Sequence, residues 1–123
     1  MFQYNGKCIF PKESFFINDI SFFHKNLKDI SYDSVLILKK EPTNKNDKEA
    51  IQILHNNNCV GYVPNNEYIK TMCSNNIQNT LKIINLKRKI GRDKFEIRVI
   101  LTKYYTDDLK NILDSDTLLF QNI

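Results

Sequence analysis

The stretch Val35-Leu36-Ile37-Leu38-Lys39-Lys40-Glu41-Pro42-Thr43-Asn44-Lys45-Asn46-Asp47-Lys48-Glu49-Ala50-Ile51-Gln52-Ile53-Leu54 decides the fold. Val35 to Leu38 is an apolar, β-rich run that reads as a strand, and Pro42 bars its continuation as a central strand. From Pro42 to Asp47 turn-forming residues are concentrated, so the connection is tight and polar. Ala50 to Leu54 reads as a second strand. His55-Asn56-Asn57-Asn58 then turns the chain into Cys59-Val60-Gly61-Tyr62-Val63, because asparagine tolerates the positive φ that such hairpin turns require. Adjacent strands joined this closely are expected to pair.

Working outward, Pro64 closes the third strand and Asn65-Asn66 offers a helix cap ahead of Glu67 to Cys73. Tyr68, Ile69, Met72 and Cys73 recur at helical spacing, which predicts one face packed on the sheet. Leu81 to Lys87 and Phe95 to Leu101 are strand-like runs flanking Gly91-Arg92-Asp93, a second hairpin with Phe95, Ile97, Val99 and Leu101 on one face. Ser14 to Phe23 is aromatic-rich and reads as extended, and Asp107 to Leu113 as a short acidic helix. The expected fold is mainly β, a small antiparallel barrel or curled sheet with one or two short helices.

One domain accounts for the whole chain of 123 residues, 41% of them hydrophobic, with a core that repays ordering. The three glycines, Gly6, Gly61 and Gly91, lie too far apart for a phosphate-binding loop or a dinucleotide turn, which excludes nucleotide-driven motors. The net charge of +4 is unevenly spread: residues 104–123 hold Lys110 against Asp107, Asp108, Asp114 and Asp116. The basic surplus therefore lies in the first 103 residues and is densest from Lys82 to Arg98, in the second hairpin. Such a hairpin presents either a patch for a polyanion or merely solvated surface.

Cys8, Cys59 and Cys73 are odd in number and without C-x-x-C spacing, which argues against a disulfide framework and for a reducing, intracellular setting. With His24 and His55 far apart, no metal site is expected. No segment has the length of a membrane span, no cofactor is implied, and no Ser or Cys stands in a nucleophile setting. The chain is expected to be non-catalytic.

Leu38-Lys39-Lys40-Glu41-Pro42-Thr43-Asn44-Lys45-Asn46-Asp47-Lys48-Glu49-Ala50-Ile51, followed ten residues on by Gly61-Tyr62-Val63-Pro64, resembles the HIRAN domain. That family's pattern is a strand ending in Arg-Glu-Pro, an Asn-Pro-Tyr-Asp-type loop, Ala-Ile or Ala-Val opening the next strand, then Gly-Tyr-Ile-Pro. The resemblance covers about residues 16–103, leaving an acidic C-terminal extension of about 104–123. It implies an OB-like β-barrel that binds DNA and, in a member fused to a fork-remodelling helicase, captures the 3′ end of a single strand. Carried over, Asp47 matches a carboxylate that accepts from the 3′ hydroxyl and Asn44 a loop amide, while Phe22 and Phe95 match stacking aromatics.

The chain also departs from that pattern. Ser21 stands where the end-binding member has arginine, Thr43 replaces the first asparagine of the loop, Lys45 its proline and Asn46 its aromatic, and Asp19 falls where glycine is frequent. Lys39, Lys40 and Lys45 supply charge without the bidentate fork of arginine. Every one of these residues also has a structural role open to it: Asn44 and Asp47 suit Asx turns and capping, and Phe22 and Phe95 suit a core.

The resemblance thus implies a non-catalytic module that binds single-stranded DNA or 3′ ends in DNA repair or processing, with a helicase or nuclease as a possible protein partner. Its interface would comprise Phe22, Asn44, Asp47 and Phe95 from the resemblance, Thr43 of the same loop, and, by their charge, Lys39, Lys40, Lys45, Lys87, Arg88 and Lys89. The alternative is a protein-interaction module that keeps the barrel without the DNA groove, using Phe15 to Phe23 or the acidic tail.

Overall fold

The structure, a computed structural model, describes residues 10–89 and 94–121, with backbone alone at Lys89, Lys94 and 115–121. Six antiparallel strands are arranged in the order β1-β6-β5-β2-β3-β4. They are β1 (Phe15–Phe16), β2 (Val35–Lys40), β3 (Ile51–His55), β4 (Asn58–Tyr62), β5 (Thr80–Lys89) and β6 (Lys94–Leu101). The sheet curls until its two edges meet: Asn18, just past β1, donates its N–H to the Tyr62 carbonyl at 2.8 Å and accepts from the Tyr62 N–H at 2.9 Å. The fold is mainly β, a small OB-like barrel, and this seam satisfies edge groups that would otherwise invite another strand.

Alternation builds the interior. Leu36 and Leu38 of β2, Ile51 and Ile53 of β3, Leu81 and Ile83 of β5, and Ile97, Val99 and Leu101 of β6 are all buried in one cluster. A register shift between Ile83 and Asn85 allows Leu86, three residues beyond Ile83, to return to the same cluster. The β3–β4 turn places Asn56 and Asn57 at φ 51 and 68, the left-handed pair that the asparagine run predicts. Truncating a buried leucine such as Leu36 to alanine would cost about 2–5 kcal/mol.

Helix α1 (Glu67–Ser74) starts at Asn66, whose side chain accepts the Ile69 N–H at 3.0 Å. Ile69 and Cys73 are buried and Met72 packs beside them, whereas Tyr68, expected on this face, stands half-exposed on its flank. Burial pushes the Cys73 thiol up to about 12, so it remains a neutral core group.

Two expectations are corrected. Only Phe15–Phe16 and the contact at Asn18 extend the Ser14 to Phe23 segment; Asp19 then turns left-handed at φ 59, and Ile20–Leu27 forms a 3₁₀ helix. Aspartate tolerates that backbone; a kink at Phe23 (φ -122, ψ 22) divides the helical segment, with Leu27 fully in the core beyond it and Phe22 exposed before it. A second 3₁₀ turn, Thr102–Tyr104, leads into α2 (Asp107–Gln121), which continues well past Leu113. Its Leu109 and Leu113 pack with Ile84 and Ile100 on the outer side of the β5–β6 hairpin, so the acidic extension is docked on the barrel. Among the described residues no helix is long and apolar enough to cross a membrane.

Candidate functional site

The connection from β2 to β3 is a nest of local hydrogen bonds. Asn44 Oδ1 accepts the N–H groups of Asn46 at 2.9 Å and Asp47 at 3.0 Å, while its Nδ2 donates to Glu41 Oε1 at 2.7 Å. Asp47 Oδ1 accepts the Glu49 N–H at 2.9 Å. Both residues therefore perform the turn-capping that their chemistry offers. The second oxygen of Asp47, Oδ2, pairs with the ammonium of Lys70, carried 23 residues away on α1. The Lys70 hydrogen bond, with that of the Glu49 amide, holds the Asp47 carboxyl below its usual range. Asp47 stays 40% exposed while Lys70 is 13% exposed, so the carboxylate remains open to a ligand that the lysine steadies.

Glu41 ties this loop to the barrel seam. Its Oε1 also accepts from the Tyr62 hydroxyl at 2.9 Å, and the Phe23 ring leans on the Tyr62 ring with centroids 6.0 Å apart. Burial, followed by the Glu41 hydrogen bond, pushes the Tyr62 hydroxyl up to about 12.

Asp47 separates two adjoining clefts. On one side it joins Asn44, Asn18, Asp19, Asn46 and Asn65, a lining of amides and carboxylates without a cation. On the other it joins Lys40, Lys48 and Lys70 together with Glu49 and Glu67, and Asn46 and Asn65 line both clefts. The first suits a hydroxyl, which donates to a carboxylate and accepts from an amide; the second brings cations beside it.

The residues singled out from the sequence divide accordingly. Lys40, Asn44 and Asp47 come together in these clefts, with Thr43 and Lys45 exposed on the same loop. Phe22, 80% exposed, starts beside the amide cleft, its N–H donating to the Asp19 carbonyl at 3.1 Å. Lys39 alternates onto the outer face of β2 with Val35 and Ile37. Phe95 lies on the β5–β6 hairpin, packed against the core, with the Arg88 guanidinium 4.8 Å above its ring.

The hairpin cations do not share one face. Arg88 stands on the side of Phe95, whereas Lys82 is engaged with the Tyr32 carbonyl, and Arg98 is stacked on aromatic rings. Lys87 is exposed opposite Glu96. The Lys89 side chain and the Gly91-Arg92-Asp93 turn lie outside the described residues.

Reading the sequence passed over Lys48, although its loop was singled out, and missed Lys70, Asn18, Asp19 and Asn65 as site residues. Lys70 follows Ile69 on the polar flank of a short amphipathic helix, a weak signal, and Asn18, Asp19 and Asn65 lie beside the seam, which is a long-range contact. No group of three or more His, Cys, Asp and Glu among the described residues is placed to hold a metal ion.

No protein-family model matches this chain, and comparison with curated proteins and with solved structures yields no significant match either.

Proposed function

We propose that this chain is a non-catalytic DNA-binding module that takes single-stranded DNA and reads its 3′ end. The supporting observation is the position of Asp47 between an amide and carboxylate cleft and a lysine-bearing one. A terminal 3′ hydroxyl enters the first, donating to Asp47 with an Asn44 or Asn18 amide at its oxygen. The last internucleotide phosphate faces Lys40 and Lys48, and exposed Phe22 offers a ring to the end base. The motif resemblance points the same way. Left-handed Asp19 adopts a backbone that glycine takes freely, so that departure leaves the turn in place. Ser21 cannot supply an arginine fork, which limits the strength of end selection.

Competition between oligonucleotides ending in a free 3′ hydroxyl and in a 3′ phosphate tests the reading. Asp19 and Asp47 disfavour a second anion, so the free end wins, and Asp47→Ala removes the difference. Equal affinity for both ends eliminates end reading and leaves general strand binding. No binding at low salt rejects DNA as the ligand.

A second reading, a protein-interaction module, draws on a different surface. The outer face of β2 leaves Val35 59% and Ile37 47% exposed beside Tyr32, an apolar stripe that a helicase or nuclease partner would cover. The two readings use separate faces.

A further inference from the structure

The amide cleft does not end at Asn18. The same residue lines a second groove, on the other side of the extended segment from Val63 to Asn66, whose Val63 and Asn65 face the first cleft and whose Pro64 and Asn66 face the second. This groove is floored by Phe16 of β1 and flanked by Tyr68 of α1, which are 45% and 52% exposed. Its charged lining consists of Lys12 and Arg98, with no carboxylate among the lining residues. An aromatic surface bordered only by cations differs from the outer face of β2, which is apolar with Lys39 alone at its end.

Arg98 builds the platform. Its guanidinium lies 4.1 Å from the Phe16 ring centroid and 4.5 Å from that of Phe10, and its Nη1 donates to Ser14 Oγ at 3.0 Å. Ser14 in turn donates to the Pro11 carbonyl at 2.7 Å. The Phe16 ring is thus steadied by a fixed cation while staying 45% exposed, which costs little further ordering when a flat π surface arrives. Lys12 stands exposed at the margin, with reach to a phosphate.

We propose that this groove is a second single-strand subsite, which receives the nucleotides leaving the end cleft over Asn18, with bases stacked on Phe16 and Tyr68 and a backbone phosphate near Lys12. The assignment rests on the end-reading proposal for its direction, since the groove is continuous with that cleft only at Asn18. It needs no base identity, because every base offers a π face, so the subsite is sequence-tolerant.

Oligonucleotide length separates the two sites. Fluorescence anisotropy with oligo-dT of about four and about twelve nucleotides, the range that a single OB-like barrel accommodates, is measured on the intact chain. For the Phe16→Ala/Tyr68→Ala double variant the expected result is unchanged affinity for the short strand and a loss of about 5- to 150-fold for each stacked base on the long one. Phe16→Tyr with Tyr68→Phe keeps both rings and restores the long-strand affinity. Thermal unfolding of each variant reports that the fold is retained. Unchanged affinity of the double variant for the long strand, or equal losses at both lengths, overturns the groove and leaves the end cleft standing. Failure of the wild-type chain to bind either length overturns both.

Discussion

Gly61 and Asn18 approach so closely that a Cβ on Gly61 would lie 2.6 Å from the Asn18 carbonyl oxygen and 2.3 Å from Ile17 Cγ2. The barrel closes here because β4 offers no side chain at the crossing. With φ at 155, Gly61 also holds a backbone that other residues adopt only under strain.

Gly61→Ala is therefore expected to destabilise the fold by about 1–3 kcal/mol, or to spring the seam, since both the buried Ile17 side chain and the Asn18 backbone carbonyl block the new methyl. Urea unfolding gives the free energy, and amide exchange at Asn18 and Tyr62 shows whether the edges part. Wild-type stability with unchanged protection at both amides would mean that the seam does not depend on this contact.

Tyr62 joins that seam to the β2–β3 loop through Glu41. Its hydroxyl, raised from 10 to about 12, favours the neutral form in the folded chain. The corresponding stability is fully present below pH 10 and is lost as pH rises toward 12. Burial also raises the Tyr105 hydroxyl, so absorbance titration should show late-ionising tyrosines, of which the Tyr62 contribution disappears in Tyr62→Phe. That variant loses about 1 kcal/mol by removing a donor from Glu41. Loss of an ordinarily ionising tyrosine in place of a late one would show that neither burial nor Glu41 holds the Tyr62 hydroxyl neutral.

The local parts of this fold were legible because single residues carry them. Asn56-Asn57 dictates a left-handed turn, Asn66 caps a helix, and the odd positions from Phe95 to Leu101 mark a buried face. The 3₁₀ helix from Ile20 was not, because Ile20, Phe22 and Phe23 have the composition of a strand, and the reversal depends on Asp19 alone. The loop half of the candidate site, Asn44 and Asp47, stood in the sequence; its other half is supplied by α1 and the seam. Two strands, β3 and β4, separate Asp47 from Lys70 on α1, and no local pattern announces such a contact. Phe22 and Phe95 also looked alike in sequence, yet one is bared and the other lies under Arg88.

The Asp47–Lys70 pair makes an acid-side prediction. The lowered carboxyl contributes stability that is present above the ordinary carboxylate pKa of 3.8 and is lost as pH falls through the lowered folded value. In Lys70→Met the Asp47 titration, followed by carboxyl-carbon NMR, moves upward, since the Lys70 hydrogen bond is the largest cause of the shift. The Glu49 amide retains part of the depression. A titration that stays in place would show that the loop amide alone holds the carboxylate.

Salt dependence distinguishes the two basic regions. Each phosphate neutralised on a single strand contributes about 0.7 to the slope of log affinity against log salt, so lost contacts are countable. Lys40 and Lys48 border the cleft where the last phosphate is placed, and Lys40→Ala with Lys48→Ala should flatten the slope by about 1.4 if both touch phosphate. At the far hairpin, Arg88 sits over Phe95 and Lys87 faces Glu96 across the strand pair, so charge reversal of Lys87, Arg88 and Lys89 tests whether the strand runs that far. Loss of affinity with a shallower slope on long oligonucleotides alone would extend the interface to this hairpin. Unchanged affinity and slope would make its charges solvated surface and confine binding to the clefts beside Asp47 and the groove at Phe16.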